Sequence, residues 1–289
     1  MSKFRISMNK NEQLQATTQF IKARKTSLQD KVCRLIVSSD LILENADAIK
    51  TCQSLKRLLP DVEFVLSLPE ILRMEDHAYL RQVEELFGRD DSIFNGIISG
   101  SLEGIGYFVN CKKRGIQLKI YGDHNLYLWN AFAVDTWREM LDGGCLPLEL
   151  RASDQEKLLS TGFSFEKIVY GRIPMMLTAN CVAKTNNACR KAHPELRGKE
   201  LFLKDRMGKS LPVRLNCGHC FNVIYNSVPL SLHEEMHSYA KKALLRLSLT
   251  TENAAETGRI LTFFLFENFE GGRPPYSDFT KGHEKKGAT

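Results

Sequence analysis

Cys181, Cys189, Cys217 and Cys220 are four of the eight cysteines in the chain, and the last two are separated only by Gly218 and His219. A close pair on a turn joined by two upstream thiols can surround one metal centre with four thiolates. That ligand set is used for structural zinc and for iron–sulfur clusters. Four unrelated buried thiols would be the plainer reading, but the Gly-containing, polar setting of the pair favours metal. Cys33, Cys52, Cys111 and Cys145 are scattered and read as ordinary core residues.

The surroundings of the thiols are basic. From Cys181 to Arg214 the cations Lys184, Arg190, Lys191, Arg197, Lys199, Lys204, Arg206, Lys209 and Arg214 face only Glu195, Glu200 and Asp205. The whole chain carries a net charge of +6, a moderate excess that suits phosphate contact near the thiols as well as it suits a solvated loop. No apolar run approaches the roughly 20 residues needed to span a bilayer, and the polar start MSKFRISMNKNEQ does not resemble a signal peptide. A cytoplasmic protein with reduced thiols, and no membrane partner, is expected.

The elements that must position the thiols follow a regular rhythm. Short apolar runs read as strands at Phe4 to Ser7, Arg34 to Val37, Glu63 to Leu66, Gly96 to Ser99, Gln117 to Tyr121, Pro147 to Leu150 and Lys167 to Tyr170. Segments with helical spacing lie between them, among them Leu41 to Leu59, Glu75 to Phe87, Leu102 to Lys113, Leu126 to Leu141 and Asp154 to Ser160. After the seventh strand the rhythm pauses for about seventy residues, then resumes with a strand at Leu244 to Leu249 and a helix from Glu252 to Phe266. Eight βα units predict an α/β fold, a (β/α)8 TIM-like barrel over residues 1–270. Residues 174–240 form a Cys-rich insertion between the seventh and eighth strands, and residues 271–289 a basic C-terminal tail released by Gly271, Gly272, Pro274 and Pro275. No glycine-rich phosphate fingerprint follows the first strand, which argues against an open dinucleotide-binding sheet.

In a barrel the insertion belongs to the face where active sites are built. Residues just beyond the strand ends are then candidates for chemistry: Asp40, Glu70, Ser99, Asp123, His124, Glu149, Tyr170, Arg172 and Thr250. Glu149, Arg172 and Asp123 together would supply two acids and a cation to one pocket. A peptidase would need an activated nucleophile or an open metal site, and the chain has no His-Glu-x-x-His or Gly-x-Ser-x-Gly motif.

Three ordered blocks carry a family resemblance: YGRIPMMLTANC at Tyr170 to Cys181, LFLKDRMGKSLPVRLNCGHCFNVIYNSVPLSL at Leu201 to Leu232, and DFTKGHEKKG at Asp278 to Gly287. They resemble the collagenase-like peptidase family U-32, in particular the carboxy-terminal barrel of its longer members, the ribosomal RNA cytidine hydroxylase type. The resemblance implies a 4Fe-4S cluster on Cys181, Cys189, Cys217 and Cys220, with zinc as the alternative. It also implies oxygen-independent hydroxylation of transfer RNA, ribosomal RNA or ubiquinone precursors; for an RNA substrate, Lys184, Arg190, Lys191, Arg206, Lys281, Lys285 and Lys286 would meet phosphate. Collagenase-like proteolysis and a zinc-stapled nucleic-acid-binding module are the alternatives. Longer members carry an upstream barrel of the same family, which would be a partner half for this chain.

Overall fold

The computed structural model describes residues 3–196 and 199–287. In chain order its strands are β1 (Phe4–Met8), β2 (Val32–Ser38), β3 (Glu63–Ser67), β4 (Gly96–Ser99), β5 (Lys119–Gly122), β6 (Gly143–Cys145), β7 (Phe165–Gly171), β8 (Pro174–Thr178), β9 (Leu201–Lys204), β10 (Ser210–Asn216), β11 (Phe221–Tyr225), β12 (Leu230–Ser231) and β13 (Leu244–Ser248). The α-helices are α1 (Asn11–Ala23), α2 (Lys25–Leu28), α3 (Ser39–Glu44), α4 (Ala46–Leu58), α5 (His77–Glu85), α6 (Leu102–Lys113), α7 (Ala131–Trp137), α8 (Ala152–Leu159), α9 (Val182–Thr185), α10 (Met236–Tyr239) and α11 (Ala254–Leu265).

Strands β13, β1, β2, β3, β4, β5, β6 and β7 pair in that order, and β7 closes the ring by pairing with both β6 and β13. Every pairing in the ring is parallel. This is the expected (β/α)8 barrel. The insertion folds as a separate antiparallel sheet in the order β8-β11-β10-β9.

Alternation along the strands sends one set of side chains to the helices and the other into the lumen. Phe4, Ile6 and Met8 of β1 join the main core with Leu35, Val37, Phe64 and Leu66. Ile36, Val65, Ile98 and Tyr121 form their own cluster inside the ring. The rest of the lumen is ionic. The Glu166 carboxylate accepts from Arg5, and from Arg246 at 3.0 Å, while Arg34 reaches Glu63 at 2.6 Å and lies over the Tyr121 ring at 3.6 Å.

Three expectations change in detail. The sixth strand lies at Gly143–Cys145, not at Pro147 to Leu150. A Cβ on Gly143 would come within 2.8 Å of the Ser164 carbonyl, and one on Gly144 within 2.7 Å of Leu128, so this strand gives up the apolar side chains that make a strand legible. The helix expected over Leu41 to Leu59 is two helices, because Asn45 is extended and its side chain caps α4 by accepting the Asp47 N–H at 3.0 Å. The helix expected over Leu126 to Leu141 shortens to α7 behind the Asn130 cap.

The tail is also held rather than released. Thr280 pairs with Leu230, and the Ser231 N–H donates to the Thr280 carbonyl at 2.9 Å. The Glu284 carboxylate accepts from the buried Lys167 ammonium and from the Tyr239 hydroxyl. The last two residues, 288 and 289, lie outside the described residues.

Candidate active cavity and thiol site

The strand ends of β1, β2, β3, β4 and β13 read RIS, IVS, VLS, IIS and RLS. In the closed ring Ser7 sits opposite Ser248, and Ser38 opposite Ser67. These four serines, with Thr250, rim a cavity at the C-terminal mouth of the barrel. It has an empty volume of about 810 Å³, part of it open to solvent. The insertion supplies its far wall through Arg214, Asn216 and Tyr225.

The insertion is docked by an ion pair and hydrogen bonds to the segments that follow β2 and β3. Arg214 donates to the Glu70 carboxylate, and Asn216 Nδ2 donates to Asp40 Oδ2 at 3.1 Å. His219, almost wholly buried, lies between two acids, with Nδ1 2.7 Å from Asp76 and Nε2 3.3 Å from Asp40. Its ring meets Tyr79 edge-on at 4.6 Å, and Arg73 donates to its carbonyl at 2.6 Å. Burial alone would lower the His219 pKa, but the hydrogen bonds and charges of Asp40 and Asp76 outweigh it and raise it.

Those docking bonds fix the Cys217–Cys220 turn, which joins β10 to β11. Asn216 pairs with Phe221 across the hairpin, and Cys220 turns the chain with a left-handed backbone, φ 52°. Cys181 precedes α9, and Cys189 follows it. All four thiols are free and at least partly accessible. Burial raises the Cys217 thiol pKa, and so do the neighbouring Cys181, Cys189 and Cys220 thiols, which places the four in one electrostatic group. Cys189 is shifted the other way, by the backbone N–H groups of Ala192 and Lys191 and then by the Lys184 and Lys191 ammonium groups.

The four thiols are a ligand set that either a structural zinc or a four-iron cluster could use. Four sulfurs around one zinc would sit about 3.8 Å apart, from bonds of about 2.3 Å in a tetrahedron. Among the described residues no three of the four sulfurs lie within 4.8 Å of one another. The group that does meet the 4.8 Å spacing, Asp123, Cys145 and Glu166, is no cation site: Arg246 bonds both of its carboxylates, Arg5 bonds Glu166, and the negative charge is already answered.

The three residues expected to supply acids and a cation separate in role. Asp123 lines the cavity, bonded to Arg246 at 2.7 Å and to the His124 ring at 3.1 Å. Burial pushes its carboxyl up, and Arg246 and His124 overcome that and hold it well below the usual carboxylate range. Arg172 lines the cavity too, but its guanidinium is spent on the Asn226 carbonyl at 3.0 Å, the Ser227 carbonyl, and Thr251 Oγ1 at 3.0 Å. It clamps the insertion's return. Glu149 lies in the turn after β6, with its backbone beside Gly287 of the tail, and is not among the residues lining the cavity.

Of the other strand-end candidates, Asp40, Glu70, His124 and Thr250 line the cavity, whereas Ser99 and Tyr170 do not. Tyr170 instead donates to Glu252 at 2.9 Å. The residues expected to meet phosphate also divide. Lys184, Lys191, Arg206, Lys285 and Lys286 are exposed, but Arg190 is buried, and Lys281 is held by Glu234 and by Glu235 at 2.8 Å. Asn216 and Arg246 were not among the sequence candidates, and Arg214 was read only as one cation of the basic run. The repeated strand-end serine was the readable sign of the rim.

The fold and cavity define a (β/α)8 barrel with a polar site at its C-terminal mouth, roofed by an inserted sheet. No family model matches the chain, and no curated protein matches it. Among solved structures it is similar to a 2,5-diketo-D-gluconic acid reductase B (14% identity, 98% of this chain and 93% of that one, TM-score 0.41). It is also similar to orotidine 5'-monophosphate decarboxylase from Metallosphaera sedula (14% identity, 58% and 77%, TM-score 0.36). A third similar structure is described as a fructose-1,6-biphosphate aldolase from Coccidioides immitis (12% identity, 57% and 64%, TM-score 0.42), so the match spans just under two thirds of that chain. Likeness at this level carries no argument about activity. Among the described residues no helix is long and apolar enough to cross a membrane.

Proposed function

We propose that the chain is a cluster-dependent RNA-modifying barrel of the U-32 type, a hydroxylase or the carboxy-terminal half of one, with Cys181, Cys189, Cys217 and Cys220 holding a 4Fe-4S cluster. One observation carries the reading: Asn222, two residues after Cys220, pairs with Thr178 and donates from Nδ2 to the Asn180 carbonyl at 3.0 Å, which brings Cys181 beside the Cys217–Cys220 turn in an insertion docked over the cavity. A bound cluster would supply one-electron chemistry beside the barrel mouth. The protein's own residues hold the insertion in place, through Asp40, Asp76 and Glu70, and present a polar cavity beneath it.

RNA as substrate is supported by the exposed Lys184 and Lys191, the two cations that act on Cys189. Phosphate contacts there would bring a strand across the cavity mouth. The partner half would be an upstream barrel, and the site of action the cytoplasm.

The test is the visible spectrum of anaerobically purified protein. A broad absorbance near about 400 nm that bleaches with dithionite is expected of the cluster. Colourless protein with one zinc per chain overturns it in favour of a zinc-stapled module. RNA affinity that does not fall as salt rises removes the nucleic-acid part of the reading.

A further inference from the structure

The cavity wall contains an acid–imidazole pair that the thiol site does not use. His124 Nδ1 lies 3.1 Å from Asp123 Oδ1, which also accepts the His124 backbone N–H at 2.7 Å. From the other side Arg246 holds the same carboxylate, Nη1 at 2.7 Å from Oδ1 and Nη2 at 3.4 Å from Oδ2. Arg246 is itself anchored on Glu166 at 3.0 Å. The carboxylate therefore cannot turn away. A carboxylate kept ionised by a guanidinium only accepts hydrogen bonds, so the imidazole proton belongs on Nδ1 and the lone pair on Nε2. Among the described residues Nε2 has no hydrogen-bond partner, and His124 lines the cavity.

We propose that His124 is the proton-transfer residue of this cavity, accepting a proton at Nε2 from a polar ring substrate, with Asp123 as its positioning residue. The lining suits such a ring: Ser7, Ser248 and Asn125 offer hydrogen bonds, and Leu68 and Ile168 offer apolar faces. In the step an O–H or N–H bond of the substrate breaks and its electron pair stays on the substrate. The proton moves to Nε2, giving an imidazolium that Asp123 stabilises, and nothing is oxidised or reduced. The inference rests on the cavity being the reacting site in the reading above, and not on RNA being the substrate.

The test needs no substrate. In full-length protein with ¹⁵N-labelled histidine, at about pH 8 where an ordinary imidazole is neutral, the His124 signals are assigned by their loss in His124→Gln. Protonated Nδ1 and bare Nε2 are expected. In Asp123→Asn the new amide can donate to Nδ1, and the proton should move to Nε2. A proton on Nε2 in the unaltered protein, or an unmoved one in Asp123→Asn, overturns the proposal. Should Asp123→Asn fail to fold, diethyl pyrocarbonate gives a second measure in the unaltered chain. His219, with both ring nitrogens bonded, is the internal reference. Peptide mass spectrometry should find His124 acylated at least about fivefold faster, and equal rates overturn the proposal. A protein that passes these tests but binds no RNA loses the substrate reading and keeps the proton-transfer residue.

Discussion

The barrel lumen and the thiol hairpin are both dense with polar groups, yet they are opposite in one respect. In the lumen every carboxylate already has its cation: Glu166 has Arg5 and Arg246, Asp123 has Arg246, and Glu63 has Arg34 and Lys119. At the hairpin, four free thiols share a site with the exposed ammonium groups of Lys184 and Lys191, which have no carboxylate partner among the described residues. Charge that is compensated from within holds the fold. If the thiols hold a metal as proposed, the two regions should respond differently when either is disturbed.

The sharpest contrast comes from removing one group in each. Glu166→Gln leaves Arg5 and Arg246 buried against a neutral amide, and breaking a buried ion pair by deleting one partner costs about 3–5 kcal/mol. Urea unfolding should show that loss equally in metal-loaded and metal-free protein. If the thiols hold a metal as proposed, Cys217→Ser should abolish its binding while leaving metal-free protein within about 0.5 kcal/mol of the unaltered chain. If the serine variant loses as much metal-free stability as the glutamine variant, the hairpin is structural and the contrast fails.

The tail tests the same rule with a smaller effect. Lys167 is 1% exposed, and its ammonium contacts Glu284 and, at 2.7 Å, Gln155 Oε1. Glu284→Gln should cost about 3 kcal/mol by stranding that charge, while adding Lys167→Met should restore most of it. No recovery in the double variant would mean that the tail is held by its backbone pairing with Leu230 instead.

Acid should attack the lumen first. The Glu63 carboxyl is pushed up by burial but pulled lower, to about 2, by Lys119 and Arg34, and Glu166 is also lowered, by Arg5 and Arg246 against its burial. A carboxylate whose folded value is depressed stabilises the fold above its unfolded value, about 4.3 for Glu, and loses that contribution as pH falls towards the folded value. Stability should therefore decline steadily between about pH 4 and pH 2. Glu63→Gln should flatten part of that decline, and an unchanged slope would remove Glu63 from the network.

What could be read from the chain follows from the range of the interactions. The barrel was legible because apolar runs and caps are local, and the thiol group because Cys217 and Cys220 share a turn. The lumen ions were not, since an Arg in a strand, as at Arg5 or Arg34, normally signals a solvent face. In a closed ring that face is the interior, and its partners Glu166 and Glu63 come from other strands. His219 was equally opaque: the turn revealed its position, but Asp40 in the first turn of α3 and Asp76 just before α5 lie more than a hundred residues upstream.

The finest test concerns the cations around the hairpin, where stability should hardly change at all. Lys184→Ala and Lys191→Ala remove exposed charges with no carboxylate partner among the described residues, so each should shift stability by under about 0.5 kcal/mol. If these lysines meet phosphate, each should reduce the slope of log affinity for single-stranded RNA against log salt by about 1. Lys281→Ala is the matched control, because Glu234 and Glu235 already hold that ammonium, and its slope should match that of the unaltered protein. Equal slopes for all three variants would place phosphate elsewhere. A drop for Lys281 alone would mean that RNA outcompetes two carboxylates there, and internal compensation would no longer separate structure from function in this protein.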